Sequence, residues 1–184
     1  MGPSPSKEGL PITTLTGERV AIDIKGPMNQ LPASERYAIV LIDLYSKWPE
    51  IQLVSSTETC KIIQFLKSIF AREGYPRELL SDNGTQFCSS EFGEFLRDCD
   101  IKHVRTPLYN PESNSVVERF NRTLGEQIEV AQIEKIPIRS YMQRFLHIYR
   151  STQHSTTGCS PSLLLHGREM RTRLFPREKK EKKV

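Results

Sequence analysis

The chain has 184 residues and a formal net charge of +4, with 26% charged, 37% hydrophobic and 8% aromatic residues. That length suits one domain with its own core, and the sequence holds no run of apolar residues long enough to span a bilayer. No basic segment leads into an apolar core at the N-terminus, which argues against a secretory signal, and Pro3 beside Gly2 argues against the myristoylation pattern that Met1-Gly2 formally opens.

Residues 1–16, rich in Pro and Ser, read as a flexible leader, residues 17–167 as the folded domain and residues 168–184 as a basic tail. The first strand is expected at 18–25, where Val20, Ile22 and Ile24 alternate with other positions. Asp23 falls near its end, just before a Gly26-Pro27 stop. Residues 37–45 are almost continuously apolar, as in a strand buried on both faces, and Asp43 in that run reads as a structural or turn acid. Residues 48–54 alternate and predict a third strand, antiparallel to the second across Ser46-Lys47.

Thr57-Glu58-Thr59 predict the cap of a helix that reaches Glu73, stops at Gly74 and Pro76, and buries Ile62, Ile63, Leu66, Ile69 and Phe70. A short apolar run then ends at Asp82, before the turn signal Asn83-Gly84. Ser89-Ser90-Glu91 open a second helix with Phe92, Phe95 and Leu96 inward, and residues 101–106 form a fifth strand ended by Pro107. Residues 108–115 are polar and Pro-containing, and read as a surface loop. Beyond them Val116, Val117, Phe120, Leu124 and Ile128 recur at a spacing near 3.6, which places Glu118 in the first turns of a helix. Glu118, Asn121, Arg122 and Gly125 share its polar face, because residues three and four apart are neighbours. Ile138, Met142, Phe145, Leu146 and Tyr149 predict a further helix, and Ser160-Pro161 start a last short one through Leu165. The order of elements is that of an α/β fold, a mixed sheet flanked by helices.

Two carboxylates at strand ends, Asp23 and Asp82, and one on a helix, Glu118, can converge. Taken singly, Asp82 is turn chemistry and Glu118 an exposed helix charge; together they make the oxygen-rich setting that hard divalent ions prefer. Two such ions activate a water or hydroxyl and stabilise the leaving oxygen of a phosphodiester, so the expected chemistry is phosphoryl transfer.

The words around these carboxylates extend the reading: Asp23-Ile24-Lys25-Gly26-Pro27, Ser81-Asp82-Asn83-Gly84-Thr85-Gln86-Phe87 and Val117-Glu118-Arg119-Phe120-Asn121-Arg122-Thr123-Leu124. Asp82 and Glu118 are separated by 35 residues. With Tyr149-Arg150-Ser151-Thr152-Gln153-His154 through Ser160-Pro161 and the later Leu164-Leu165-His166-Gly167-Arg168, the chain resembles the integrase catalytic core of retroviruses and retrotransposons, of the Ty3/gypsy type.

That resemblance implies a ribonuclease H-like fold and metal-dependent nicking and joining of DNA, in which the 3′ ends of an element are processed and transferred to a target. It makes Asp23, Asp82 and Glu118 the catalytic residues and metal ligands, holding two Mg²⁺ or Mn²⁺ ions when DNA is bound. Its partners are element-end and target DNA, a homodimer or higher oligomer is expected, and the expected location is the nucleus. Asn83, Asn114, Arg119, Asn121 and Arg122 are candidates for orienting ligands or contacting nucleic acid. Lys25 is a candidate for neutralising the site or touching phosphate. The alternative is a host-retained derivative that binds nucleic acid or protein without catalysis. The segment before the helix departs from the family pattern at Glu112, where glutamine is usual, and at Ser115, where glycine is usual. An added carboxylate near DNA phosphates is expected to weaken binding, and serine narrows the backbone freedom of glycine.

The tail from Arg168 to Val184 carries a net +5, leaving the rest of the chain near neutral. Lys179 and Lys180 within it are candidates for salt-sensitive phosphate contact, the other reading being a solvated end. Cys60, Cys88, Cys99 and Cys159 contain no Cys-x-x-Cys pair, and the four histidines share no ligand spacing. Free thiols in a reducing intracellular compartment and imidazoles of ordinary core or surface kind are therefore expected, without the zinc-binding N-terminal domain of full-length integrases.

Overall fold

The computed structural model describes residues 16–105 and 111–172, with 111–114 described by backbone alone. The expected leader up to residue 15 and most of the basic tail, Lys179 and Lys180 included, lie outside the described residues.

Five strands form one sheet: β1 (Arg19–Lys25), β2 (Tyr37–Asp43), β3 (Pro49–Val54), β4 (Glu78–Ser81) and β5 (Lys102–Arg105), in the spatial order β3-β2-β1-β4-β5. β1, β2 and β3 run as an antiparallel meander, whereas β4 pairs parallel with β1 and β5 parallel with β4. The helices are α1 (Thr59–Glu73), α2 (Ser90–Asp98), α3 (Pro111–Ile133), α4 (Ile138–Ser151) and α5 (Pro161–His166). This is the mixed sheet flanked by helices that the periodicities predict, and its strand order is that of ribonuclease H-like folds.

Alternation along β1 sorts its side chains between two cores. Val20 and Ile22 join Ile62, Leu66 and Phe70 of α1 and Phe92 and Leu96 of α2 on one face. Ala21 joins Val117, Phe120, Leu124 and Ile128 of α3 and Tyr141, Met142 and Phe145 of α4 on the other. Asp23 and Lys25 share parity with Ala21 and so belong to the α3 face. Each fully buried Leu, Ile or Phe on these faces contributes about 1.5–3 kcal/mol of transfer free energy, which makes the second core the main force holding α3 to β1 and the first the main force holding α1 and α2 to the sheet.

Several local expectations hold at the level of single bonds. Asp43 is buried at 6% exposure, and its carboxylate accepts from Gly17 N (2.9 Å), Ser46 N (2.7 Å) and Ser46 Oγ (2.5 Å), the bonding of a turn acid. Ser89 caps α2 by accepting from Phe92 N at 3.2 Å, and Ser160 caps α5 by accepting from Leu163 N at 3.2 Å. Phe95 is half-buried, its ring stacked on Phe70 at 6.3 Å. The four cysteines are free.

Two expectations are corrected. The N-cap of α1 is Glu58, and no side chain bonds to the end of that helix. Thr59, expected to help cap it, lies inside α1 and turns its hydroxyl to Gln86 O and Ser89 Oγ, both at 3.3 Å, where it ties α1 to the segment after β4. The second correction concerns residues 108–115. Residues 106–110 lie outside the described residues, but α3 is already helical from Pro111, so Glu118 stands two turns inside the helix. Proline suits a first helical turn because its missing N–H has no partner there in any case, and Ser115 does not interrupt a helix as glycine would.

Gly26, at the end of β1, has φ +135°, and a Cβ there would meet Arg36 O at 2.7 Å and Tyr37 Cδ1 at 2.8 Å. Only glycine lets β1 turn this sharply against the start of β2, which fixes where the strand carrying Asp23 stops.

The far edge of the sheet is fastened to α4 by Arg150. Its Nε and Nη2 donate to Pro49 O at 3.1 and 2.6 Å, Nη2 also reaches Glu50 Oε2 at 3.1 Å, and the guanidinium lies 4.2 Å from the Trp48 ring. Trp48 Nε1 and Arg72 Nη2 each donate to Glu50 Oε1 at 3.1 Å.

Candidate active site

Strand register brings the first two carboxylates together. Along the parallel pair, Arg19 stands opposite Glu78, Val20 opposite Leu79 and Ala21 opposite Leu80. Asp23 and Asp82 each lie two residues beyond the Ala21/Leu80 pair, so they emerge side by side on the α3 face, on neighbouring chains about 4.8 Å apart where paired. Asp23 is half-buried. Asp82 is exposed and accepts from Gly84 N at 2.9 Å, an Asx turn that carries the chain away from β4.

Asn121, on α3, reaches across to β1. Its Nδ2 donates to Asp23 Oδ2 at 2.5 Å, whereas its Oδ1 is buried with no hydrogen-bond partner among the described residues. Glu118 lies one turn earlier on the same face and is exposed. Burial is the largest influence on the Asp23 carboxyl and pushes its pKa above the ordinary value. The Asp82 charge, and behind it that of Glu118, push the same way, and the Ile24 N–H and the Asn121 amide only partly offset them. The charges of Asp82 at the end of β4 and Glu118 on α3 are therefore both felt at Asp23.

Among the described residues, no three His, Cys, Asp or Glu side chains stand close enough to surround one ion. Asp23 and Asp82 are neighbours, and Glu118 is felt through its charge. The chemistry of the set nonetheless fits a hard divalent cation. Its donors are all oxygen, its charges repel one another, and an unpartnered buried acceptor lies beside them.

The remaining predicted residues are placed unevenly. Lys25 projects over α3, its Nζ 3.3 Å from where a Cβ on Gly125 would lie, and has no hydrogen bond or ion pair among the described residues. A glycine at 125 lets this ammonium rest against the helix. Arg119 and Arg122 are exposed on α3, Arg119 donating from Nε to Ser115 O at 3.3 Å. Asn83 is exposed in the turn after β4, and the side chain of Asn114 lies outside the description.

A brace under Asp82 has no sequence signal. Ser81 Oγ donates to Asp82 O at 2.9 Å and lies 2.8 Å from His103 Nε2. The single hydroxyl proton is committed to the carbonyl, so His103 donates from Nε2. Burial, then the Arg105 charge, push the pKa of His103 down, which keeps its ring neutral. Its neighbour Leu79 identifies it only once the β4/β5 register is known.

The family described as "Integrase core domain" matches residues 14–111 of this chain. The chain is 34% identical over 163 residues to the Caenorhabditis elegans protein named "Uncharacterized protein K02A2.6", a match covering 88% of this chain and 12% of that protein. It is 30% identical over 173 residues to the Gag-Pol polyprotein of Walleye dermal sarcoma virus, covering 92% of this chain and 9% of the polyprotein. The chain thus spans about a tenth of the length of these two relatives. Among solved structures, the HTLV-2 integrase catalytic core domain in complex with magnesium superposes with a TM-score of 0.67 at 18% identity, covering 83% of this chain and 99% of that one. At that identity the likeness shows a shared fold.

Proposed function

The chain belongs to the integrase core domain family, and from that premise we propose that it performs metal-dependent phosphoryl transfer on DNA, of the retroviral and retrotransposon kind. The observation that carries the proposal is the convergence of Asp23 and Asp82 at the ends of adjacent central strands, with Glu118 and Asn121 on the helix packed over them.

In this reading Asp23, Asp82 and Glu118 hold Mg²⁺ or Mn²⁺. Two such ions supply an activated nucleophile and charge neutralisation at the phosphorus. Asn121 fixes the orientation of the Asp23 carboxylate, and Ser81 with His103 fixes the peptide from which Asp82 projects. In the same reading Arg122, Asn83 and Asn114 meet DNA, and the tail lysines Lys179 and Lys180 add a sequence-independent attraction to phosphate. The substrates proposed are an element's DNA ends and a target duplex, with 3′ end processing followed by strand transfer. A homo-oligomer and action in the nucleus belong to the same proposal, as does a Ty3/gypsy-type origin.

The test is strand transfer with short duplex DNA in Mn²⁺ or Mg²⁺, comparing the chain with Asp82→Asn. Joined products should fall below detection in the variant, a loss of about 10³-fold for some 4 kcal/mol of transition-state stabilisation. Joining that survives Asp82→Asn overturns the assignment. Metal-independent DNA binding without joining favours the second reading, a nucleic-acid-binding derivative, which the Glu112 and Ser115 departures from the family pattern support.

A further inference from the structure

We propose that Lys47, Arg119 and His154 form a phosphate-binding site that takes a backbone phosphodiester of DNA beside α3. The proposal rests on DNA being the substrate, and it concerns residues outside the carboxylate set.

The three side chains come from distant parts of the chain: the β2–β3 turn, the N-terminal half of α3 and the segment after α4. Tyr149 joins two of these elements, with its ring edge-on to Phe120 at 5.1 Å and to His154 at 6.3 Å. Arg119 adjoins Phe120 on α3. Lys47 is fixed in a left-handed conformation, φ 63°, by the Asp43 turn, and its ammonium donates back to Leu44 O. That bond keeps the charge close to the turn instead of trailing in solvent.

Among the described residues, each head group retains donors that no acceptor receives. Arg119 uses Nε on Ser115 O, and among the described residues both of its Nη groups have no acceptor. His154 Nδ1 accepts from Thr156 N at 3.2 Å, so the neutral ring carries its proton on Nε2, and that N–H has no partner there either. The loop holding the ring is closed by His154 N to Cys159 O at 2.9 Å and Gly158 N to His154 O at 2.8 Å. Among the described residues no carboxylate forms an ion pair with any of the three. Asp43 favours the Lys47 charge, but its oxygens are already taken by Gly17 and Ser46.

The result is a group of like charges that disfavour one another. Burial, and after it Lys47 and Arg119, hold His154 toward its neutral form; burial and Arg119 weaken the ammonium of Lys47. An anion reverses these penalties at once. A guanidinium fork, an imidazole N–H and an ammonium together match the tetrahedral oxygens of a phosphate. Arg119 and Glu118 are successive residues of α3 and face about 100° apart, so a strand laid over the carboxylates meets this group with a neighbouring backbone phosphate as it passes around the helix.

The experiment is fluorescence anisotropy of a labelled duplex in EDTA over a salt series, with the chain, Lys47→Gln/Arg119→Gln, and the control pair Lys67→Gln/Arg97→Gln on α1 and α2 across the sheet. The site variant should bind at least tenfold more weakly than the control pair, with a salt slope shallower by roughly one to two. Arg119→Gln alone, at an exposed helix position, should show half of that change in slope and serves if the double variant fails to fold. Site and control variants that bind alike overturn the proposal, as does a loss of DNA binding reproduced by polyglutamate competition but insensitive to these substitutions. Because EDTA removes metal chemistry from the measurement, the two readings part cleanly. Weak binding by the site variant together with no strand transfer in the chain keeps this site and rejects the catalytic assignment, whereas unchanged binding with intact joining does the reverse.

Discussion

Asp23→Asn should abolish DNA joining and, at neutral pH, raise the melting temperature. The two effects share one cause. The folded-state pKa of Asp23 lies above its ordinary value, chiefly through burial and then through Asp82 and Glu118. The folded chain therefore binds that proton more tightly than the unfolded chain does. Its contribution to stability is fully present below the unfolded pKa and is lost as pH rises through the raised value. At pH 7 an ionised Asp23 is held among like charges at a cost, and asparagine removes the charge while its own carbonyl still accepts from Asn121. The advantage of the variant should vanish in acid, where both side chains are neutral. Joining should drop by about 10³-fold, and the rise in melting temperature that Mn²⁺ is expected to give the unsubstituted chain should be lost. Thermal melts across pH 4–8 with and without Mn²⁺, beside the joining assay, check all three. A lower melting temperature at pH 7 would show that the carboxylate is structural.

The second large effect lies far from the carboxylates. Arg150→Ala should lower stability by about 3 kcal/mol, a fall in Tm of roughly 6–12 °C. Arg150 and Glu50 are 17% and 15% exposed, so this pair is not a surface ion pair of negligible worth. Removing the guanidinium strips Pro49 O of both donors, leaves Glu50 with only Trp48 and Arg72, and uncovers the Trp48 ring. The positive charge also sits in the last turn of α4, where the helix dipole favours it. Arg150→Lys should recover only part of the loss, because one ammonium cannot fork between Pro49 O and Glu50. Chemical denaturation of the three proteins decides it, and a change under about 1 kcal/mol for alanine would mean that the edge strand is held by its apolar contacts instead.

The sheet, its two covering layers and the parity of Asp23 were readable because they depend on period. Val20, Ile22 and Ile24 alternate in sequence as they do in space, and the stripe from Val117 to Ile128 has one possible buried side. Asp43 was readable as a turn acid because its partners are local. The start of α3 was not, since Pro111 and the polar residues after it suit a loop and a first helical turn equally well. The side-chain pairing of Asn121 with Asp23 spans 98 residues, and that of Arg150 with Pro49 spans 101, so no local pattern encodes either. His103 and His154 looked ordinary for the same reason. Each takes its role from a residue on another element, Ser81 in one case and the Lys47 and Arg119 charges in the other.

The mixed pairing of β1 also has a consequence in time. Its antiparallel neighbours follow within a short stretch of chain, but its parallel neighbour β4 begins 59 residues later, at Glu78 opposite Arg19. At about 5–20 residues per second of synthesis, the β1–β3 meander emerges about 1–5 seconds before β4. The meander, built on near contacts, should then close first, and the parallel half should dock only after the α1 crossover is complete. Pulse-labelled hydrogen exchange during refolding should protect Ile39 and Leu41 amides before those of Leu79 and Leu80, and simultaneous protection would refute that order. Asp23 and Asp82 sit on opposite sides of this delay. On this order the acidic pair exists only once β4 has docked, so a cation can lock the paired strands but cannot seed the meander.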